Sequence, residues 1–310
     1  MTDMKASYIT PAVTLFHEDG TLDLESQGAL YDYLIRSGID GILVQGSIGE
    51  FFAMPMYQRM QLAKYAVEAI ARRVPCIIGV TSMIVDEIAP FANCCLDFGA
   101  DAVAILPPYY FPFDDESLFR YFHRLLEEIH GPVYLYNFPA RTGCSISAET
   151  VLRLADLHSN LRGIKDTFTG MEHTRELIHA IKPRFPDFEI YSGFDDNGAR
   201  NVLSGGDGVI GGLSNIVPEV CAAWMKAIRE GDAAGIAAGQ RRIDRLMDVY
   251  SVGSVFIPII KEGARLRGIV GSNVCTFPMT PPTAAESEAI VSILVKEGVK
   301  LASTPVPPAR

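Results

Sequence analysis

The residue with the most chemistry to offer in this chain is Lys165. It lies in Leu161-Arg162-Gly163-Ile164-Lys165-Asp166-Thr167, a short and mostly apolar run bounded by Asn160 and Gly170. Turn residues on both sides make the run read as a buried strand ending in a charge. The chain has eight lysines, and the other seven (Lys5, Lys64, Lys182, Lys226, Lys261, Lys296 and Lys300) fall in terminal or helical-looking segments, where a solvated ammonium is expected. An ammonium buried without a partner is costly. The uncharged amine is a nucleophile that forms a Schiff base with a carbonyl substrate. The alternative for Lys165 is a structural ion pair with Asp166 or another carboxylate.

Other candidates follow other apolar runs. Tyr136 closes Pro132-Val133-Tyr134-Leu135-Tyr136-Asn137, and a phenol placed there can shuttle protons. Arg141, in the next loop, can grip a carboxylate bidentately or form a surface ion pair. Gly46-Ser47-Ile48-Gly49-Glu50 reads as a turn leading to a helix, with backbone N–H groups able to hold a carboxylate; an ordinary N-cap is the plainer reading. Asp195 and Asp196, after Gly193-Phe194, suit substrate hydroxyls or a helix cap. The aromatics of Pro107–Phe113 suit a pocket, an oligomer contact or a packed loop. The glycines of Gly205–Gly212 suggest close approach to the backbone, by substrate among other things.

The elements that must position these residues alternate. Strand-like runs occur at Ser7–Thr14, Gly41–Gly46, Val74–Val80, Asp101–Leu106, Pro132–Asn137, Leu161–Thr167, Phe188–Gly193 and Gly206–Gly211. Amphipathic helical patterns lie between them, most clearly at Pro55–Ile70, Val85–Phe98, Asp115–Ile129, Ser147–Leu157 and Met171–Ile181. Eight such alternations predict a (β/α)8 TIM barrel. A doubly wound open sheet is the alternative, without a G-x-G-x-x-G after the first strand to support it. Active residues in such a barrel sit at the C-terminal ends of the strands, where all the candidates above fall. Residues 1–218 therefore read as the barrel. Residues 219–302 read as a C-terminal helical extension packed on it, with helices over Glu219–Glu230, Asp232–Val252, Val255–Leu266 and Pro282–Val299. The tail 303–310, with three prolines, reads as disordered.

Composition narrows the function. Apolar residues make up 48% and the net charge is −10, without a basic run; neither nucleic acid nor an anionic membrane is an expected partner. No apolar run approaches the roughly 20 residues of a membrane helix, and the start of the chain lacks a signal-peptide pattern. Six cysteines without a C-x-x-C pair suggest free thiols in a reducing cytoplasm. The six histidines are scattered, so no metal site is expected.

Gly46-Ser47-Ile48-Gly49-Glu50, Tyr109-Tyr110, Tyr136-Asn137-Phe138-Pro139 and Gly163-Ile164-Lys165-Asp166-Thr167 stand in order at the expected strand ends. Together, over nearly the whole chain, they resemble the dihydrodipicolinate synthase / N-acetylneuraminate lyase family of class I, pyruvate-handling aldolases. The resemblance implies a barrel with C-terminal helices that forms homotetramers, as dimers of dimers. It implies that Lys165 carries the imine with a 2-oxo acid such as pyruvate, that Tyr136 moves protons and that Ser47 relays them. Tyr110 matches a tyrosine that reaches into the neighbouring subunit's site. The N–H groups of Ser47 and Ile48 match the carboxylate holder, and the Ile210 carbonyl matches a contact near the lysine. The imine serves as electron sink, so no cofactor is implied beyond this covalent intermediate.

The chain departs from the pattern at Ile48. The family usually has threonine there, and losing its hydroxyl bond costs about 1 kcal/mol if nothing replaces it. Arg141 resembles the synthase arginine that receives the carboxylate of aspartate semialdehyde. Gly193-Phe194-Asp195-Asp196 resembles instead the turn with which sugar-acid lyases hold hydroxyls. The Tyr136 and Lys165 motifs also look like those of 2-keto-3-deoxy sugar acid aldolases. The balance favours an aldolase joining or releasing pyruvate and an aldehyde, acting on a 2-keto-3-deoxy sugar acid. Dihydrodipicolinate synthase, condensing pyruvate with aspartate semialdehyde, is the alternative. A non-catalytic barrel that binds a 2-oxo acid is a third reading, supported only by Ile48.

Overall fold

A computed structural model of the chain describes residues 5–302; the tail 303–310, read as disordered, lies outside them. Eight strands, β1 (Ser7–Pro11), β2 (Gly41–Val44), β3 (Cys76–Gly79), β4 (Ala102–Ile105), β5 (Val133–Asn137), β6 (Leu161–Asp166), β7 (Glu189–Ser192) and β8 (Gly208–Ile210), pair in sequence order. All pairs are parallel, and β8 pairs back onto β1, so the sheet closes into a barrel rather than lying open. Each strand is shorter than the apolar run that announces it. Some of the excess residues, such as Val80, Leu106 and Thr167, are buried loop at the strand ends, whereas Pro75, Asp101 and Pro132 are exposed.

Helices α1 (Leu24–Arg36), α2 (Met56–Ile70), α3 (Ile88–Phe98), α4 (Asp115–Glu128), the single turn α5 (Pro139–Thr142), α6 (Ala148–Leu157), α7 (Glu172–Ile181) and the short α8 (Gly198–Leu203) make the outer ring. Side-chain oxygens cap several of them: Asp23 accepts from the Ser26 N–H, Asp114 from Ser117 and Ser147 from Thr150, each satisfying an otherwise orphaned amide. After β8 the chain is helical: α9 (Pro218–Glu230), α10 (Ala233–Leu246), α11 (Phe256–Leu266) and α12 (Ala284–Lys296). A full capping box, Thr283 with Glu286, opens α12. No described helix is long and apolar enough to cross a membrane.

Alternation along the strands divides the core in two. Ile9, Leu43, Ile77, Ala102, Ala104, Tyr134, Tyr191 and Ile210 fill the barrel interior. The outward residues join the helices in the main core. Near the bottom of the interior the Tyr134 and Tyr191 hydroxyls both donate to Glu189 (2.5 and 3.0 Å).

Two expectations are corrected. Lys261 is not solvated: on α11 it is completely buried and ion-paired with the equally buried Glu50. The histidines are not all apart: His123 Nδ1 lies 2.7 Å from His158 Nε2, because α4 packs beside α6. Among the described residues no three His, Cys, Asp or Glu side chains converge as a metal site requires.

Candidate active site

Strand register places the lysine. Tyr134 points into the barrel, so Tyr136, two residues on, does too. In the β5–β6 ladder Tyr136 pairs with Lys165 and Asn137 with Asp166. Tyr136 and Lys165 therefore face the interior at its upper end, while Asn137 and Asp166 face the helices. Lys165 is 5% exposed, and its Nζ lies 4.2 Å from the centre of the Tyr136 ring. Its amine makes no hydrogen bond or ion pair with any described residue. The ion pair with Asp166 is ruled out by alternation. That carboxylate, on the opposite face, accepts from Asn137 Nδ2 (2.8 Å), His173 Nδ1 (2.9 Å) and Thr174 Oγ1 (2.6 Å).

Around the lysine is a cavity of about 390 Å³. Ser47 and Ile48 line it from the turn after β2. Gly49 N–H and Glu50 N–H close that turn onto Gly46 and Ser47 carbonyls, whereas the N–H groups of Ser47 and Ile48 donate to no described group. Two unpaired amides at the edge of a cavity are suited to an anion. Ser47 Oγ stands 3.4 Å from the Tyr136 hydroxyl, a long contact of the kind that tightens when substrate arrives.

Arg141, on α5, lines the same cavity. Its guanidinium lies 5.9 Å from the ring centres of both Phe138 and Phe256 and has no carboxylate partner among the described residues, so the surface ion pair is not formed. Gly193 and Ile210 also line the cavity. A Cβ at Gly193 would fall 1.8 Å from Thr167 Oγ1, so only glycine fits there. The Thr167 hydroxyl is buried, lacks a partner among the described residues and belongs to a residue lining the cavity. Thr167 carries a signal that sequence reasoning passed over: it stands two residues beyond Lys165, hence on the same face.

The acid pair is used differently from the expectation that both bind substrate hydroxyls. Asp195 lines the floor but is 1% exposed. Its carboxylate already accepts from the Tyr8 hydroxyl, the Leu213 N–H (2.9 Å) and the Tyr250 hydroxyl (3.0 Å). Burial pushes its pKa up, against the pull of those three hydrogen bonds. Asp196 does not line the cavity; its backbone carbonyl accepts from Gln240. Neither acid caps a helix. Tyr250, Met247 and Phe256 come to the cavity from the C-terminal helical region, a contribution no local motif announces. Tyr110 is not brought to the site of its own chain. It is 84% exposed, with φ of 92°, on the loop after β4, edge-on to Phe111.

The arrangement can therefore bind an anionic carbonyl compound. Amides and Arg141 receive negative charge, the Lys165 amine faces the carbonyl, and a phenol and a hydroxyl stand within reach for proton transfer.

Comparison with known proteins agrees in outline. The model of the dihydrodipicolinate synthetase family matches residues 4–297. The chain is 35% identical over 291 residues to the probable 2-dehydro-3-deoxy-D-pentonate aldolase YjhH of Escherichia coli, covering 94% of this chain and 97% of that one. It is 32% identical over 278 residues to a 4-hydroxy-tetrahydrodipicolinate synthase of Kosmotoga olearia, covering 90% and 94%. The crystal structure of YagE from Escherichia coli, a prophage protein of the dihydrodipicolinic acid synthase family in complex with pyruvate, superposes with a TM-score of 0.92 at 34% identity, over 95% of this chain and 99% of that one.

Proposed function

Since the chain belongs to the dihydrodipicolinate synthetase family, we propose that it is a Schiff-base aldolase that makes or cleaves a 2-keto-3-deoxy sugar acid, exchanging it with pyruvate and an aldehyde. The observation that carries this is Lys165: a buried amine without an ionic partner among the described residues, at the C-terminal end of a barrel strand and against a tyrosine ring. In the cleavage direction the Lys165 amine adds to the C2 carbonyl and water leaves, giving an imine. The substrate carboxylate rests on the Ser47 and Ile48 amides. The Tyr136 phenol, with Ser47 beside it, gives its proton to the departing water, and the phenolate so formed takes the proton from the C4 hydroxyl. The C3–C4 bond breaks, its electron pair passes to the protonated imine, and the aldehyde departs. Protonation of the enamine at C3 and hydrolysis return pyruvate and free Lys165. No cofactor is needed beyond the covalent imine.

Substrate hydroxyls are read by Thr167; of the Gly193, Asp195, Asp196 and Ile210 expected from sequence, Asp196 stands outside the cavity and is given no part. Of the rest, Gly193 gives room, Ile210 supplies a backbone contact, and Asp195 acts as a fixed part of the floor. Tyr110 is assigned to the site of a second copy, within a dimer of dimers. An annex of about 250 Å³ beside Ser47, walled by Phe51, Tyr109 and Phe256, supports this because it can admit an aromatic ring from outside. A cytoplasmic location is part of the same reading.

A second reading, dihydrodipicolinate synthase, is favoured by one feature. The unpaired Arg141 guanidinium suits an aldehyde that carries its own carboxylate, as aspartate semialdehyde does. The test is borohydride trapping with pyruvate followed by peptide mass mapping, then turnover of a panel of 2-keto-3-deoxy acids beside the semialdehyde condensation. A stable adduct on Lys165, absent from Lys165→Ala, is expected, with turnover in the sugar-acid panel. Failure to trap any 2-oxo acid on Lys165 would sink both readings and leave the binding-protein alternative.

A further inference from the structure

The turn that presents the Ser47 and Ile48 amides is bracketed by two non-glycine residues in the left-handed region, Gln45 (φ 58°) and Glu50 (φ 60°). Such conformations persist only where the surroundings over-determine them. Each bracket is held by a buried cation from a helix outside the turn. At Gln45 the cation is Arg59 of α2. Its Nε donates to Gln45 Oε1 (2.9 Å), its carbonyl accepts from Gln45 Nε2 (2.7 Å), and its remaining nitrogens reach the Gly79 and Thr81 carbonyls. At Glu50 the cation is Lys261 of α11. Lys261 and Glu50 are ion-paired with both side chains at 0% exposure. Lys261 Nζ also donates to the Val274 carbonyl (2.7 Å), and Glu50 Oε2 accepts from both the N–H (2.7 Å) and the hydroxyl (2.8 Å) of Thr276.

A buried ion pair is weak evidence for stability as such, because desolvation offsets the attraction. It does hold a backbone in one geometry where further hydrogen bonds brace the pair, as they do here at Lys261 Nζ and Glu50 Oε2. Glu50 is two residues from Ile48, and none of the catalytic steps uses it or Lys261. We propose that Glu50 and Lys261 are positioning residues for the substrate carboxylate: their ion pair, clasped by Thr276 and Val274, fixes the Ser47–Ile48 amides and makes pyruvate binding depend on the docking of α11. The inference rests on the Schiff-base reading and on those amides as the carboxylate holder.

The experiment uses the full chain carrying Glu50→Gln with Lys261→Met, which removes both charges and strands neither. Borohydride trapping is followed against pyruvate concentration and, in parallel, against methyl pyruvate, a ketone without a free carboxylate; thermal melting and circular dichroism report the fold. The pyruvate concentration for half-maximal trapping is expected to rise about tenfold, the loss of roughly one well-made charged hydrogen bond. The maximal trapping rate is expected to stay within about twofold, and the methyl pyruvate curve to stay in place, since amide placement affects only the carboxylate. Unchanged half-saturation, or an equal loss with both ketones, overturns the proposal and leaves the pair a structural one. Should the double variant not fold, Thr276→Val removes a single bond to Glu50. A rise of about threefold for pyruvate alone is expected there, and wild-type half-saturation overturns the proposal. If the wild-type chain traps neither ketone, the Schiff-base reading itself fails and takes this one with it. A loss confined to the variants tests positioning alone.

Discussion

Tyr136 and Thr167 flank Lys165 on the same inner face, and their substitutions should separate chemistry from recognition. Tyr136→Phe keeps the ring against Lys165 and removes the hydroxyl that stands 3.4 Å from Ser47. Steady-state cleavage should show kcat lower by about 10²- to 10⁴-fold, the range of a lost acid–base group, with an unchanged melting temperature. A kcat near wild type would remove Tyr136 from the proton path. Thr167→Val replaces a buried hydroxyl that has no partner among the described residues with a methyl of similar size. Stability should hold or rise slightly, because an unsatisfied group is removed. The kcat/KM for a hydroxylated substrate should fall about tenfold if the hydroxyl is read at this position. Loss of stability with unchanged kcat/KM would make Thr167 a packing residue.

At the scale of one strand and its helix, β6 is tied to α7 by His173 and Asp166. His173 Nδ1 faces the Asp166 carboxylate and its Nε2 the Ile146 carbonyl (3.1 Å). Two acceptors can be satisfied together only by the imidazolium. Burial acts to lower the His173 pKa, and the hydrogen bond and charge of Asp166, with the Ile146 carbonyl, outweigh it and raise the value above the ordinary 6.5. A raised histidine stabilises the fold fully below its unfolded pKa and loses that contribution as pH rises through the folded one. Melting wild type and His173→Ala from about pH 5 to about pH 9 should therefore show the widest gap below the ordinary histidine pKa, closing as pH rises. A gap independent of pH would mean that the imidazole acts only by packing. This tie holds the strand whose next face carries Lys165, so any loss of activity in the variant should follow the same pH course.

At the scale of the whole molecule, Asp195 joins parts far apart in the chain. Its carboxylate gathers Tyr8 from β1, Leu213 after β8 and Tyr250 after α10. Asp195→Ala strands two buried donors, from Tyr8 and Leu213, and the half-buried Tyr250 hydroxyl, and should destabilise the protein by about 3–5 kcal/mol in denaturant unfolding. A change under about 1 kcal/mol would mean that water takes over the three bonds. The C-terminal helices supply Tyr250 and Phe256 to the cavity and Lys261 to Glu50. We expect a chain ending at Pro218, where α9 begins, to be insoluble or molten, with Glu50 deprived of Lys261 and Thr276. A soluble, cooperatively melting fragment would show the barrel to be self-sufficient.

Much of this molecule is determined locally and is therefore legible in the order of residues. Apolar runs broken by turn residues mark all eight strands, since period and punctuation are properties of neighbours in the chain. The two-residue alternation is local too, although it took the observed β5–β6 register to put Tyr136 and Lys165 on one face and to settle that Lys165 does not pair with Asp166. Folding decided what depends on partners distant in sequence. Lys261 sits on a helix that reads as amphipathic, yet its burial is set by Glu50 and by Thr276, itself 226 residues from Glu50. Asp195 looks like a free acid at a mouth until β1, 187 residues away, delivers Tyr8. A charge is stable inside only when its counter-charge and donors arrive together, and their arrival is a property of the closed barrel with its C-terminal helices docked, not of any stretch of the chain.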